Sequence, residues 1–79
     1  MKLTIEQIRK NDNIPTSEIE QDIAETQKEI DDYKEELATL MKRPSENKLR
    51  IFVLRGEILL RKDFIENLQC ILNYRKEND

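Results

Sequence analysis

Histidine is absent from this 79-residue chain, and cysteine occurs once, as Cys70. Those shortages exclude zinc sites of the usual kind and any disulfide within the chain. They also leave no histidine to activate a thiol or hydroxyl, so no catalytic triad can be assembled. Glycine occurs once, at Gly56, and proline twice, at Pro15 and Pro44; aromatic residues make up 5% of the chain. With charged residues at 39%, this is helical or coiled-coil composition. There is no glycine-rich loop to cradle a phosphate. Long apolar runs are missing as well. The longest, Ile51 to Leu54 and Ile58 to Leu60, fall far short of the roughly 20 residues that span a bilayer. The start carries Lys2 but lacks the unbroken apolar core of about 7–15 residues that marks a leader. The expectation is a soluble, cytoplasmic protein with no membrane partner, in a compartment where a lone thiol stays reduced.

What is present is charge, and it is unevenly placed. Residues 16–43 carry nine acids against four bases, whereas residues 44–79 carry six acids against seven bases. An acidic helix and a mildly basic one attract when they lie antiparallel. The net charge of −3 is too small to define a partner by itself. High charge also suits disorder, but regular apolar spacing over most of the length argues for helices.

Three helices are expected in one all-α domain. Thr4 with Gln7 three residues on reads as a capping box for a short helix over about 4–10. Asn11-Asp12-Asn13 then favours a break, and Pro15 biases Ile14 away from helical angles. A second helix is expected over about 17–42, opened by a Ser17–Glu20 capping box. Its seam runs Ile19, Ile23, Thr26, Ile30, Tyr33, Leu37, Leu40, in alternating steps of four and three residues. That is a heptad seam with one polar member. A third helix is expected over about 46–75, with Ser45 as its cap or with a turn over residues 43–47 before it, and its Lys-Glu-Asn-Asp end should fray. So short a connection makes the two long helices antiparallel neighbours, a helical hairpin.

The third helix is apolar on two faces. One series is Ile51, Leu54, Ile58, Ile65, Leu68, Leu72; the other is Val53, Leu60, Phe64, Ile71, Tyr74, with Leu49, Phe52 and Leu59 beside it. A helix apolar nearly all round must be surrounded, and the hairpin offers it one long neighbour. The short helix, through Ile5 and Ile8, can cover one end of the second face. The rest points to other copies of the chain or to a different protein, and a scaffold this small without disulfide or metal usually needs such support. The expected assembly is an oligomeric bundle, four-helix for a dimer, with Val53, Leu60, Phe64, Ile71 and Tyr74 at the interface. Gly56, costly inside a helix, fits a close helix crossing or a small kink.

Three charged sets have both a plain and a functional reading. Arg61 interrupts the first apolar series; it either carries its head to solvent along a covered stem or is buried and paired across an interface, where it fixes register or meets an anionic ligand, with Thr26 as a neighbour on the second helix. Arg50, Arg55, Arg61 and Lys62 either pair with the acidic helix or serve an anionic ligand such as a nucleotide. In the latter case Arg55, Arg61 and Lys62 supply charge, and Tyr33 or Tyr74 a stacking face. Glu18, Asp22, Glu25, Glu29, Asp32 and Glu36 form an acidic stripe, which is either a solvated face or a surface for a basic protein groove. Direct DNA binding is not expected, since no basic helix or tail is present. Cys70 reads as a small apolar group, and adjacent carboxylates such as Asp31 and Asp32 point apart around the helix.

The leading expectation is therefore a non-catalytic, oligomeric protein-binding module, an adaptor or inhibitor that occludes a partner, with no cofactor or metal. By analogy with small stand-alone chains of bacteriophages and mobile elements, an anti-defence accessory role is expected. The alternatives are a sponge that sequesters a small anionic ligand between chains, and a structural scaffolding bundle.

Overall fold

The computed structural model describes residues 3–10 and 13–78, which form three helices: α1 (Ile5–Arg9), α2 (Thr16–Leu40) and α3 (Lys48–Glu77). The described residues contain no strand, as the all-α reading expects. Arg50 meets Glu36, Arg61 meets Glu29 and Arg75 meets Thr16, so α3 rises as α2 descends and the pair is an antiparallel hairpin. The molecule measures 51 × 21 × 17 Å. None of its described helices is long and apolar enough to cross a membrane.

The heptad seam does what its spacing predicts. Ile19 and Ile30 are buried, and Ile23, Thr26, Tyr33, Leu37 and Leu40 are half-buried. The first apolar series of α3 lies against them: Ile51, Leu54 and Ile58 are buried, with Leu54 at 0% exposure, and Ile65, Leu68 and Leu72 are half-buried.

The helix ends depart from expectation in instructive ways. α1 forms its capping box, with the Gln7 N–H donating to Thr4 Oγ1 at 3.2 Å and the Thr4 N–H donating to Gln7 Oε1 at 3.0 Å. The Ser17–Glu20 box does not form. Pro15, fixed in an extended conformation (φ −59°, ψ 140°), is the N-cap instead. The helix thus opens at Thr16, which puts Ser17 inside the first turn, where a side chain no longer caps. Of the expected break at Asn11-Asp12-Asn13, Asn11 and Asp12 lie outside the described residues, and Asn13 sits in a turn.

Between the long helices, residues 41–47 form turns, so Ser45 and Pro44 stay in the connection and Asn47 precedes α3. The Asn47 side chain does not cap α3. Its Nδ2 donates backwards to the carbonyls of Leu40 (3.3 Å) and Arg43 (3.0 Å), which also accept the backbone N–H groups of Arg43 and Glu46, and so ties the connection to the end of α2. At the other end α3 runs on to Glu77. Asn78 donates to the Tyr74 carbonyl through its backbone N–H (3.1 Å) and its Nδ2 (2.9 Å), which holds the last turn. Asp79 lies outside the described residues.

α1 folds back onto the C-terminal half of α3. Ile8, Ile19 and Ile71 form a buried cluster, with Leu3, Ile14, Ile23, Leu68, Cys70, Leu72 and Tyr74 packed around it. This corrects the expected outer interface. Ile71 is 3% exposed and Tyr74 half-buried within the chain itself, because α1 covers them. Ile5 stays exposed, so of the two α1 isoleucines only Ile8 takes part, with Leu3 and Ile14 beside it.

Candidate functional site

Where α1 stops, the outer side of α3 is bare. Leu49 (78% exposed), Phe52 (76%), Val53, Leu59, Leu60 and Phe64 are all exposed large apolar side chains. At about 100° per residue they spread over the side of α3 opposite Ile51, Leu54 and Ile58, which face α2. They span the first half of the helix, a stretch of roughly 22 Å at 1.5 Å per residue. Single exposed leucines are ordinary, but six large apolar side chains close together on one helix face are not. Of the five residues expected at an outer interface, then, Val53, Leu60 and Phe64 lie in the patch; Ile71 and Tyr74 belong to the core under α1. Leu49, Phe52 and Leu59, noted in sequence only as flanking, are more exposed than Val53.

Gly56 lies in the middle of the patch. A methyl group added there would meet nothing within 4 Å, so no helix of this chain crosses closely over it. No positive φ calls for glycine at this position either.

The edges of the patch differ in charge. On one side the guanidinium groups of α3 are engaged by carboxylates. Arg50 Nε donates to Glu36 Oε2 at 3.1 Å. Arg61 Nε donates to Glu29 Oε2 at 2.7 Å, and its Nη1 donates to the carbonyl oxygen (3.2 Å) and the carboxylate of Glu57 one turn earlier. The Arg61 guanidinium also sits over the Tyr33 ring, 4.7 Å from its centroid. Its side chain is 24% exposed. The Glu29 hydrogen bond, then that of Glu57, raise its pKa above the ordinary arginine value. Arg61 is thus half-buried and paired within the chain, to Glu29 and Glu57 rather than near Thr26, which is the pairing with the acidic helix that the arginine set allowed. Nothing in the sequence singled out Glu57; the signal was the four-residue spacing to Arg61.

On the other side lie Lys48, Arg55 and Lys62, seven residues apart and hence in line along α3. None makes an ion pair among the described residues; Arg55 contacts only the Met41 sulfur, at 3.9 Å. Arg55 and Lys62, with Lys34 of α2, rim a groove of about 350 Å³ floored by Leu37, Ile58 and Leu59. Lys34 had no place in the sequence reading. The four residues expected to bind an anion together are therefore split. Arg61 and Tyr33 stack on each other at the carboxylate edge, while Arg55 and Lys62 sit at the groove, about 120° away around α3.

The acidic stripe is split likewise. Glu29 and Glu36 are taken up by Arg61 and Arg50. Glu25 accepts a hydrogen bond from Gln21 at 3.1 Å, and Glu18, Asp22 and Asp32 make no ion pair among the described residues. Glu18, Glu25 and Asp32 repeat at seven residues, so α2 presents an open acidic line on the flank away from Lys34. Among the described residues no group of His, Cys, Asp and Glu is placed to hold a metal ion. Cys70 is a half-buried free thiol packed on the core. Comparison with family models, curated proteins and solved structures finds no match to this chain.

Proposed function

We propose that this protein is a non-catalytic binding module that works through the bare face of α3, assembling there and occluding a partner protein. One observation carries the reading: six large apolar side chains, Leu49 through Phe64, stand exposed on one helix face, opposite the buried Ile51, Leu54 and Ile58. Leaving them in water forgoes roughly 1.5–3 kcal/mol for each side chain that a partner would fully bury. The open acidic line Glu18–Glu25–Asp32 supports a second contact with a basic surface. The reading places the protein in the cytoplasm, of a host cell if the chain is encoded by a phage or mobile element, in an anti-defence role. A photo-crosslinking side chain at position 60 tests it. Irradiation in the expressing cell is expected to join the protein covalently to another polypeptide, be it a like chain or a different one. A chain that stays uncrosslinked at position 60 while folded by circular dichroism sinks the reading.

A second reading, sequestration of a small anionic ligand, is favoured by the open cations Arg55, Lys62 and Lys34 around an apolar floor. It fits a ligand with both a phosphate or carboxylate and an apolar part. A panel of nucleotides and acyl phosphates should then raise the melting temperature, and Arg55→Ala with Lys62→Ala should remove the shift. No shift with any member rules this ligand class out.

A further inference from the structure

We infer that the occupant of the bare α3 face is a second copy of this chain, laid antiparallel and crossing at Gly56. The inference rests on the binding-module reading and names its partner. A two-fold dimer presents the same patch twice, so the patch must complement itself. This one does so about Gly56. Phe52 and Val53 precede Gly56 by four and three residues, and Leu59 and Leu60 follow it by three and four. Leu49 lies seven residues before it and Phe64 eight after. Reversing one copy sets Val53 against Leu60 of the other and Leu49 against Phe64. Glycine then sits at the crossing, where a missing side chain lets two backbones approach, and nothing within the chain itself asks for glycine there.

The placement of α1 selects the direction. It lies on this same outer side of α3, over Ile71. In a parallel pair the two α1 helices would be level with each other and would hold the α3 helices apart at that end. Antiparallel, the α1 helix of each copy falls level with the turn after Leu40 of the other, beyond the patch. The exposed fractions of the six side chains offer roughly 700 Å² per copy, close to the about 800 Å² each partner gives to a standard interface. Lys48 of one copy comes level with Asp63 of the other, while the two Arg55 side chains meet near the centre. The two-fold makes the Lys48–Asp63 pair twice and the Arg55 pair once, and it also brings each Lys48 near Lys62 of the other copy, so attraction and repulsion offset and salt should change the affinity little.

Light scattering and sedimentation of the purified chain at micromolar concentrations test the inference. A dimer is expected, with less than a threefold change in dissociation constant up to about 0.5 M sodium chloride. Gly56→Leu, whose Cβ meets nothing in the monomer, is expected to keep its helicity and dimerise at least tenfold more weakly. In a Cys70→Ser background, mixed Val53→Cys and Leu60→Cys chains should crosslink to each other, and neither should crosslink alone. A monomeric wild type, an unweakened Gly56→Leu dimer, or self-crosslinking of Val53→Cys overturns the inference. A monomer that position 60 crosslinks to a different protein overturns this inference alone; a monomer with no crosslinked partner overturns the binding-module reading with it.

Discussion

Arg61 makes the case that a charge in an apolar series is a question about neighbours. Its fork is shared between Glu29 on α2 and Glu57 on its own helix, with the Tyr33 ring beneath. A double-mutant cycle of Arg61→Ala and Glu29→Gln should give a coupling that shrinks as salt rises, because the pair is partly open to water. Arg61→Lys should recover only part of the loss, since a lysine lacks the planar fork that reaches both carboxylates. Additive single mutants in that cycle would rule the coupling out. Leu54, fully covered, behaves differently. Leu54→Ala should cost about 2–5 kcal/mol in urea unfolding, comparable with the roughly 3–5 kcal/mol that a core of this size supplies. Gly56→Ala, measured on the monomer, should add about 1 kcal/mol, for no neighbour resists the methyl group. At this scale the sequence already marked Arg61 and Gly56 as exceptions to their helix pattern. It did not name Glu57 or split the anion set, because heptad spacing fixes which residues face the seam but not which acid on α2 comes level with which base on α3.

The short helix α1 decides more than its five residues suggest. Two hydrogen bonds of its capping box set its start, and Ile8 seals Ile71. Ile8→Ala should re-expose Ile71 and speed amide hydrogen exchange over residues 66–77, leaving residues 51–58 protected; equal acceleration across α3 would contradict separate docking. Thr4→Ala should have a weaker effect in the same place, about 1 kcal/mol on the α1 contact. Ser17→Ala, by contrast, should change stability by less than about 0.5 kcal/mol, because Pro15 and not Ser17 opens α2. The seam from Ile19 to Leu40 was legible because apolar periodicity is a long, repeated signal. The Ser17 cap misled because the motif is local and two candidate starts stood next to each other, with the fixed angle of proline deciding between them. Ile71 misled for a tertiary reason: its helical position is that of an outer residue, and only the return path of α1 makes it core.

For the whole molecule, the proposed pairing of copies would link the stability of this hairpin to its own concentration. If copies bind through Leu60 and Phe64, the thermal midpoint should climb as protein concentration is raised, and Leu60→Glu should flatten that dependence without loss of helicity. A wild-type midpoint independent of concentration would argue against self-association by a route separate from scattering. The hairpin and its hydrophobic excess could be seen in the sequence; what faces the excess could not, since one chain encodes only half of any contact it makes with another molecule.

The segregation of charge across the hairpin has a consequence beyond contact. Glu18, Glu25 and Asp32 lie along one flank, and Lys34, Arg55 and Lys62 along the other, across a body whose short extents are 21 and 17 Å. Its net charge of −3 therefore conceals a transverse electric dipole. In a field that decays over about 8 Å at physiological salt, such a body feels a torque before it feels a collision. Spread evenly, the same charge would be repelled by a polyanion in every orientation. A body with this charge placement should turn first, so that its Lys48–Arg55–Lys62 edge leads.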